Sequence, residues 1–230
     1  MRKLMLLTVV SVFGWTFHAY ALPVGGWSML SQEEEHNFTG GYEGSFVFER
    51  ELDTRNAEID ELNDSFAKFS YIPGEYPVEL YGLLGVMRFE VDQGSAHYDT
   101  DYGFAYGFGG KTVLWQSEQN TAIGLDAKYR RSEPEIDEST FSNRGEATYQ
   151  DWQVALGVSQ EIKENITPYG GIKYNDVSIT DVAGFADQNS EDVIGLFAGL
   201  EVKASENLAL NVEGSFVNES AITGGVAWHF

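Results

Sequence analysis

Ile222-Thr223-Gly224-Gly225-Val226-Ala227-Trp228-His229-Phe230 closes the chain with its large apolar residues on alternate positions. Ile222, Val226, Trp228 and Phe230 fall on one face, and Thr223, Gly225 and His229 on the other. A period of two marks an extended strand whose two faces meet unlike surroundings. Working outward from this stretch, the same dyad returns at Leu208, Leu210, Val212 and Phe216 against Asn211, Glu213 and Ser215. It recurs at Ile194, Leu196, Ala198, Leu200 and Val202 against Gly195, Gly199, Glu201 and Lys203, and at Trp152, Val154, Leu156 and Val158 against Gln153, Gly157 and Ser159. Nearer the start, Ile123, Leu125, Ala127 and Tyr129 oppose Gly124, Asp126, Lys128 and Arg130, while Phe104, Tyr106, Phe108 and Leu114 oppose Gly103, Gly107, Gly109 and Lys111. Phe38, Tyr42, Phe46 and Phe48 oppose Thr39, Gly41, Glu43, Ser45 and Glu49. Three further segments are less regular: 64–72 is short, 76–91 is apolar on both faces around Leu83, Leu84, Val86 and Met87, and 166–178 carries Pro168.

These segments predict about ten strands, with eight or twelve as the range the irregular ones allow. The links between them alternate in length. Short links fall at Ile72–Tyr76, Gln116–Asn120, Lys163–Asn165 and Ala204–Asn207; longer ones fall at Glu51–Asp64, Asp92–Asp101, Arg131–Ala147 and Thr180–Ser190, with Asn218–Ser220 as a tight final exception. An all-β, up-and-down antiparallel transmembrane β-barrel has this alternation, with short periplasmic turns and long external loops, and an even strand count leaves both termini on the periplasmic side. A soluble β-sandwich also alternates. The barrel is preferred because aromatic residues sit toward both ends of the strands, as membrane interfaces favour: Tyr81, Trp115, Tyr169, Trp228 and Phe230 at one, Phe48, Phe89, Tyr129, Trp152 and Phe216 at the other.

At the N-terminus, Arg2 and Lys3 precede an apolar run from Leu4 to Phe17 and then Ala19-Tyr20-Ala21, which predicts a cleaved signal peptide over residues 1–21. The competing reading is a membrane anchor, but a run interrupted by Ser11, Thr16 and His18 falls short of the roughly 20 residues a spanning helix needs. Residues 22–230 then form one barrel domain, with 22–37 as a periplasmic N-terminal segment. Loss of Arg2 and Lys3 takes the formal charge from −22 to −24, so nucleic acid is not an expected partner. With no cysteine, the chain has no disulfide framework, thiol nucleophile or lipid-modified N-terminal cysteine.

With ten dyad segments and a signal in place, the final strand resembles those of the small Gram-negative outer-membrane β-barrel family, the general type that includes the OmpA and OmpX barrels and porin-like surface proteins. Ile222, Gly224, Val226, Trp228 and terminal Phe230 carry the resemblance, since alternating apolar residues ending in an aromatic look like that family's assembly signal. It covers the chain from about Phe38 onward. It implies a cell outer-membrane location, contact with lipid and lipopolysaccharide, and delivery by periplasmic chaperones to the barrel-assembly machinery, with Val226, Trp228 and Phe230 as the assembly signal. Functions within the family range from pores to adhesins to enzymes.

Charge sorted by face narrows the choice. Glu43, Glu49, Asp126, Asp151, Glu201 and Glu213 are expected to face inward with Arg88, Lys111, Lys128, Arg130, Lys173 and Lys203, giving a nearly neutral lumen. Two readings stay open: ion pairs filling a narrow barrel, or a water path kept open by inward Gly41, Gly107, Gly109, Gly157, Gly171 and Gly199. The acidic excess is placed in the loops 51–64 and 131–146 and at Glu33, Glu34 and Glu35. It is either a solvated face or a set of carboxylates bridged by divalent cations to lipopolysaccharide phosphates. For catalysis, His97 is the one histidine expected at the outer rim, in Ala96-His97-Tyr98-Asp99-Thr100-Asp101. The omptin proteases use Asp and His at a barrel mouth, but the resemblance stops at that composition. No catalytic residue and no cofactor is therefore expected. The leading expectation is a non-enzymatic, porin-like narrow channel or structural membrane protein. The alternatives are a surface binding or adhesion module acting through acidic loops and, behind it, a barrel-mouth hydrolase.

Overall fold

The computed structural model describes residues 38–230 apart from 54–56, 74–77, 94–95, 119, 137–144, 164 and 181–186. The expected signal peptide and the segment 22–37 lie outside the described residues. The strands are β1 (Phe38–Leu52), β2 (Ala57–Tyr71), β3 (Val78–Gln93), β4 (Ala96–Asp99), β5 (Gly103–Gln116), β6 (Thr121–Ser132), β7 (Thr148–Gln160), β8 (Ile166–Thr180), β9 (Gln188–Asn189), β10 (Ile194–Lys203), β11 (Leu208–Phe216) and β12 (Ser220–His229). Ten of them, all but β4 and β9, form an antiparallel ring in chain order. β12 pairs back onto β1 from Thr39↔His229 to Phe46↔Ile222, so the sheet closes on itself. Closure matters because backbone groups at an open sheet edge would face hydrocarbon without partners.

Outside the ring of strands lies an apolar surface that water would not tolerate. Phe104, Phe108, Leu114, Trp152, Leu156, Ile172, Leu196, Val212, Ile222 and Phe230 all point outward and are exposed. Exposed apolar area on this scale is a lipid-facing belt. Among the described residues no helix is long and apolar enough to cross a membrane, and the strands make the crossing. The aromatic girdles need correction. Trp115, Trp228 and Phe230 do face out at one end and Phe48, Tyr129, Trp152 and Phe216 at the other, but Tyr81, Tyr169 and Phe89 are buried inside the barrel. Phe38, Phe69 and Tyr71 join the girdle at the Phe230 end instead, with the Phe38 and Tyr71 rings 4.9 Å apart.

The region 51–64, expected to be a long acidic loop, is mostly strand. β1 runs to Leu52 and β2 begins at Ala57. The alternation that reveals a strand is broken there by two β-bulges, between Val47 and Glu49 in β1 and between Ile59 and Glu61 in β2. Each inserts a residue and swaps the faces of everything beyond it. The bulge turns Glu49 outward and Arg50 inward, contrary to the expected lumen position of Glu49.

The ring also changes composition with height. β10, β11 and β12 are only 10, 9 and 10 residues long, whereas β1, β2 and β3 have 15, 15 and 16. Above the short wall, β9 pairs with β8 and the chain then bridges to β1 at Leu52↔Ser190, with the Asp53 amide donating to the Asn189 carbonyl at 2.8 Å. On the other side β4 pairs with β3 above the start of β5. Beyond β4, Thr100 bridges Ile136 and Glu135 bridges Glu146. These contacts close a second, narrower ring on the outer side: β1, β2, β3, β4, the continuation of β6 through Ile136, β7, β8 and β9. A barrel of about eight strands has an interior that side chains just fill.

Candidate functional site

The lumen has two storeys of different chemistry. The outer storey, inside the narrow ring, is apolar: Leu52, Ile59, Leu62, Met87, Phe89, Val91, Tyr98, Ile136, Tyr149, Val177 and Ile179 are all buried in one cluster. The Phe89 ring sits 6.4 Å from Tyr98 and 5.7 Å from Tyr149. Tyr98 keeps its hydroxyl paired by donating to Gln188 Oε1 at 3.3 Å. This cap is a packed core, held at the top of the barrel by the two seams at Ser190 and Ile136.

The inner storey is charged and paired. Arg130 donates to Asp64 Oδ2 at 2.6 Å and reaches Asp151 through two nitrogens, with both carboxylates fully buried. Arg50 and Lys173 both bind Glu219, and Lys173 also donates to Ser215 Oγ at 2.7 Å. Lys128 lies 3.6 Å from Glu43, and Lys68 lies 3.3 Å from Glu79. Tyr81 donates to Asp126 at 2.8 Å while the Lys68 ammonium lies 4.1 Å from the centre of its ring and Lys111 lies 6.0 Å from it. Such pairing is what allows charges to be buried at all, because an isolated one loses its hydration without return.

Two of the inward glycines, Gly109 and Gly199, face neighbouring side chains. A side chain at Gly109 would collide with the Tyr81 ring, and one at Gly199 with the Tyr169 ring. Each glycine is the recess into which a neighbouring strand lays a large phenol. One cavity among the described residues, lined by Glu43, Lys128, Arg130, Lys173, Glu213 and Glu219 among others, measures about 30 Å³. That is room for a water or two.

Of the residues expected to line the lumen, Glu43, Lys111, Asp126, Lys128, Arg130, Lys173, Glu201 and Glu213 do so, and Lys203 is half-buried on the same face of β10. Arg88 does not. The inward face of β3 is Glu79, Tyr81, Leu83, Met87, Phe89 and Val91, so Arg88 points outward, where it pairs with Glu61 and Glu90 and lies over the Tyr102 ring. A strand apolar on both faces offers no contrast by which to tell in from out. Further buried charges lie beyond those expected from the sequence, among them Arg50, Asp64, Lys68, Glu79 and Glu219. Asp64 and Lys68 carry a readable signal, alternating with Phe69 and Tyr71 along β2, whereas Arg50 lies beyond a bulge and Glu219 in a turn. The proposed assembly-signal residues Val226, Trp228 and Phe230 all face outward, and the Phe230 amide donates to the Phe38 carbonyl at 3.2 Å beside the closing seam.

His97 lies outside the barrel wall on β4, not over the mouth. Its Nδ1 is 2.5 Å from Asp92 and its Nε2 2.6 Å from Asp99. The Nδ1 contact is a hydrogen bond, whereas Asp99 Oδ1 faces Nε2 at ion-pair distance without one, and both carboxylates favour the protonated ring. The outer surface around it is acidic: Glu49, Glu51, Asp60, Glu133, Asp187, Glu191 and Asp192 are exposed there, and the outward cations among the described residues of this rim are Arg88 and Arg131, each already paired with a glutamate.

Comparison with solved structures returns outer-membrane β-barrels. The β-domain of the Bordetella autotransporter BrkA matches at 10% identity and a TM-score of 0.50, covering 85% of this chain and 100% of that one. The translocator domain of the autotransporter NalP from Neisseria meningitidis matches at 11% identity and 0.49, over 86% and 90%. An outer membrane channel from Pseudomonas putida F1 matches at 7% identity and 0.46, over 92% and 98%. No protein-family model and no curated protein matches the chain. At such identities the likeness is one of fold alone, that of outer-membrane β-barrels, and the lipid-facing belt is this chain's own mark of a transmembrane barrel.

Proposed function

We propose that this barrel is a non-enzymatic outer-membrane protein whose lumen is a structural core and whose working part is the acidic cap, a surface for cationic molecules outside the cell. The observation that carries this reading is the apolar cluster around Phe89, Tyr98 and Tyr149, which fills the outer storey. A porin-like path would have to pass through that cluster and then through the ion pairs below it. The hydrolase reading finds less support, because His97 lies on the outer face of β4, away from the mouth, beside two carboxylates that favour its protonated form. The cap's exposed carboxylates attract cations over a range of about 10 Å at 0.1 M salt. In proteoliposomes, fluorescent polylysine is expected to bind at low salt, to dissociate as salt rises, and to bind less when Glu49, Glu51, Glu191 and Asp192 are replaced by their amides. Polylysine binding no greater than to empty liposomes would refute the proposal.

A further inference from the structure

The narrow outer ring has two members held by very little backbone, β4 and β9. β4 is four residues long, pairs with β3 from Glu90↔Asp99 to Gln93↔Ala96, and hands the ring on to Ile136 through a single bridge at Thr100 and the bond from the Asp101 amide to the Glu135 carbonyl at 2.8 Å. Its inward residue, Tyr98, is part of the apolar seal, and its outward residues are His97 and Asp99. On that outward side the charges crowd. β3 contributes Glu90 and Asp92, β4 contributes Asp99, and β2 contributes Glu58 opposite Asp92, with Asp60 close by. Arg88 is drawn off toward Glu61 and Glu90. His97 is therefore the group that reconciles the carboxylate of β3 with that of β4.

We propose that His97 is an acid-set pin for the outer seal: as an imidazolium it ties β4 to β3 through its hydrogen bond to Asp92 and offsets the charge of Asp99 on its own strand, and when it gives up its proton the carboxylates of the two strands repel and β4 loosens from the cap. The inference uses only the geometry of the cap and stands whatever the cap binds. Hydrogen bonding to Asp92, with Asp99 and Glu90 adding to it, raises the affinity of His97 for its proton above the ordinary 6.5. The sign follows from that direction. A group whose folded-state affinity is raised stabilises the closed form fully below its ordinary value and loses that contribution as pH rises through the raised one. For β4 the closed state is thus favoured in mildly acidic medium and weakened in alkaline medium. His97, Asp92 and Asp99 are all substantially exposed, so salt will screen the effect.

The test is hydrogen exchange of the full-length protein in bilayers, read as protection factors for the Tyr98 to Asp101 amides at low ionic strength between about pH 6 and about pH 9, with the His97 ring titrated by NMR in the same sample. Protection should fall about tenfold for each unit by which the His97 titration lies above its ordinary value. Amides in β6 and β7 below the cap should not change. In H97Q the pH dependence should vanish, and in Asp99→Asn the ring should titrate lower and the fall should shrink. A His97 that titrates at or below 6.5, or a wild-type protection factor that is flat across the range, would overturn the proposal. A H97Q protein that retains the wild-type pH dependence would do the same.

Discussion

Arg130→Met is expected to be the most damaging single change in the wall, destabilising the barrel by about 3–5 kcal/mol. The side chain is the sole described cation within ion-pair distance of both Asp64 and Asp151, and both carboxylates are fully buried. Removing it leaves two negative groups facing each other without water, on strands as far apart in sequence as β2 and β7. The loss should appear in urea unfolding followed by tryptophan fluorescence in lipid. Adding Asp64→Asn and Asp151→Asn to Arg130→Met should recover most of the stability, since the damage comes from unpaired charge and not from the missing packing. Arg131, one residue on, supplies the contrast. It faces outward, pairs with Glu133 in solvent, and its replacement by Ala should cost less than about 1 kcal/mol.

Phe89→Ala is expected to cost a similar amount, about 3–5 kcal/mol, but to spend it locally. The ring is fully buried between Tyr98 and Tyr149, so truncation leaves a cavity at the centre of the cap. The cap is joined to itself by two short seams, whereas the ring beneath it is joined by long ladders on every strand. A weakened core should therefore open at the seams before the barrel unfolds. Added protease should cut Phe89→Ala proteoliposomes within β4 and the segment 187–193 while leaving the parent protein whole. Global unfolding in urea should shift much less than for Arg130→Met. If Phe89→Ala instead lowered the stability of the whole barrel with no early cleavage in the cap, the two storeys would form a single cooperative unit.

How far the chain could be read before its structure was known depends on where its two faces differ. Strands β5, β6, β7, β10, β11 and β12 carry polar or small residues inside and apolar residues outside, and each was legible with its orientation correct. The charged lumen site was legible for the same reason, from Glu43 through Lys128, Arg130 and Lys173. β3 was not, because its inner face is apolar as well as its outer one: it crosses the lipid belt below and lines the cap above. Arg88 was misplaced in consequence. The outer halves of β1 and β2 read as loop because bulges at Phe48 and Asp60 break the dyad where the barrel narrows. The cap itself leaves no periodic trace. It is built from residues brought together across the ring, Ser190 against Leu52 and Ile136 against Thr100, and such long-range pairing has no local signature. The roles of Gly109 and Gly199 are hidden for a related reason, since they make room for tyrosines contributed by other strands.

The account turns on whether the outer storey closes the lumen, and single-channel recording of the purified, folded protein in a planar bilayer asks that directly. With insertion verified in the same membrane by protease protection, the sealed barrel predicts no stepwise current above a blank bilayer at any salt concentration, since ions would have to cross both the apolar cap and the paired charges beneath it. Reproducible steps of conductance from the unmodified protein would contradict it and return the function to a channel.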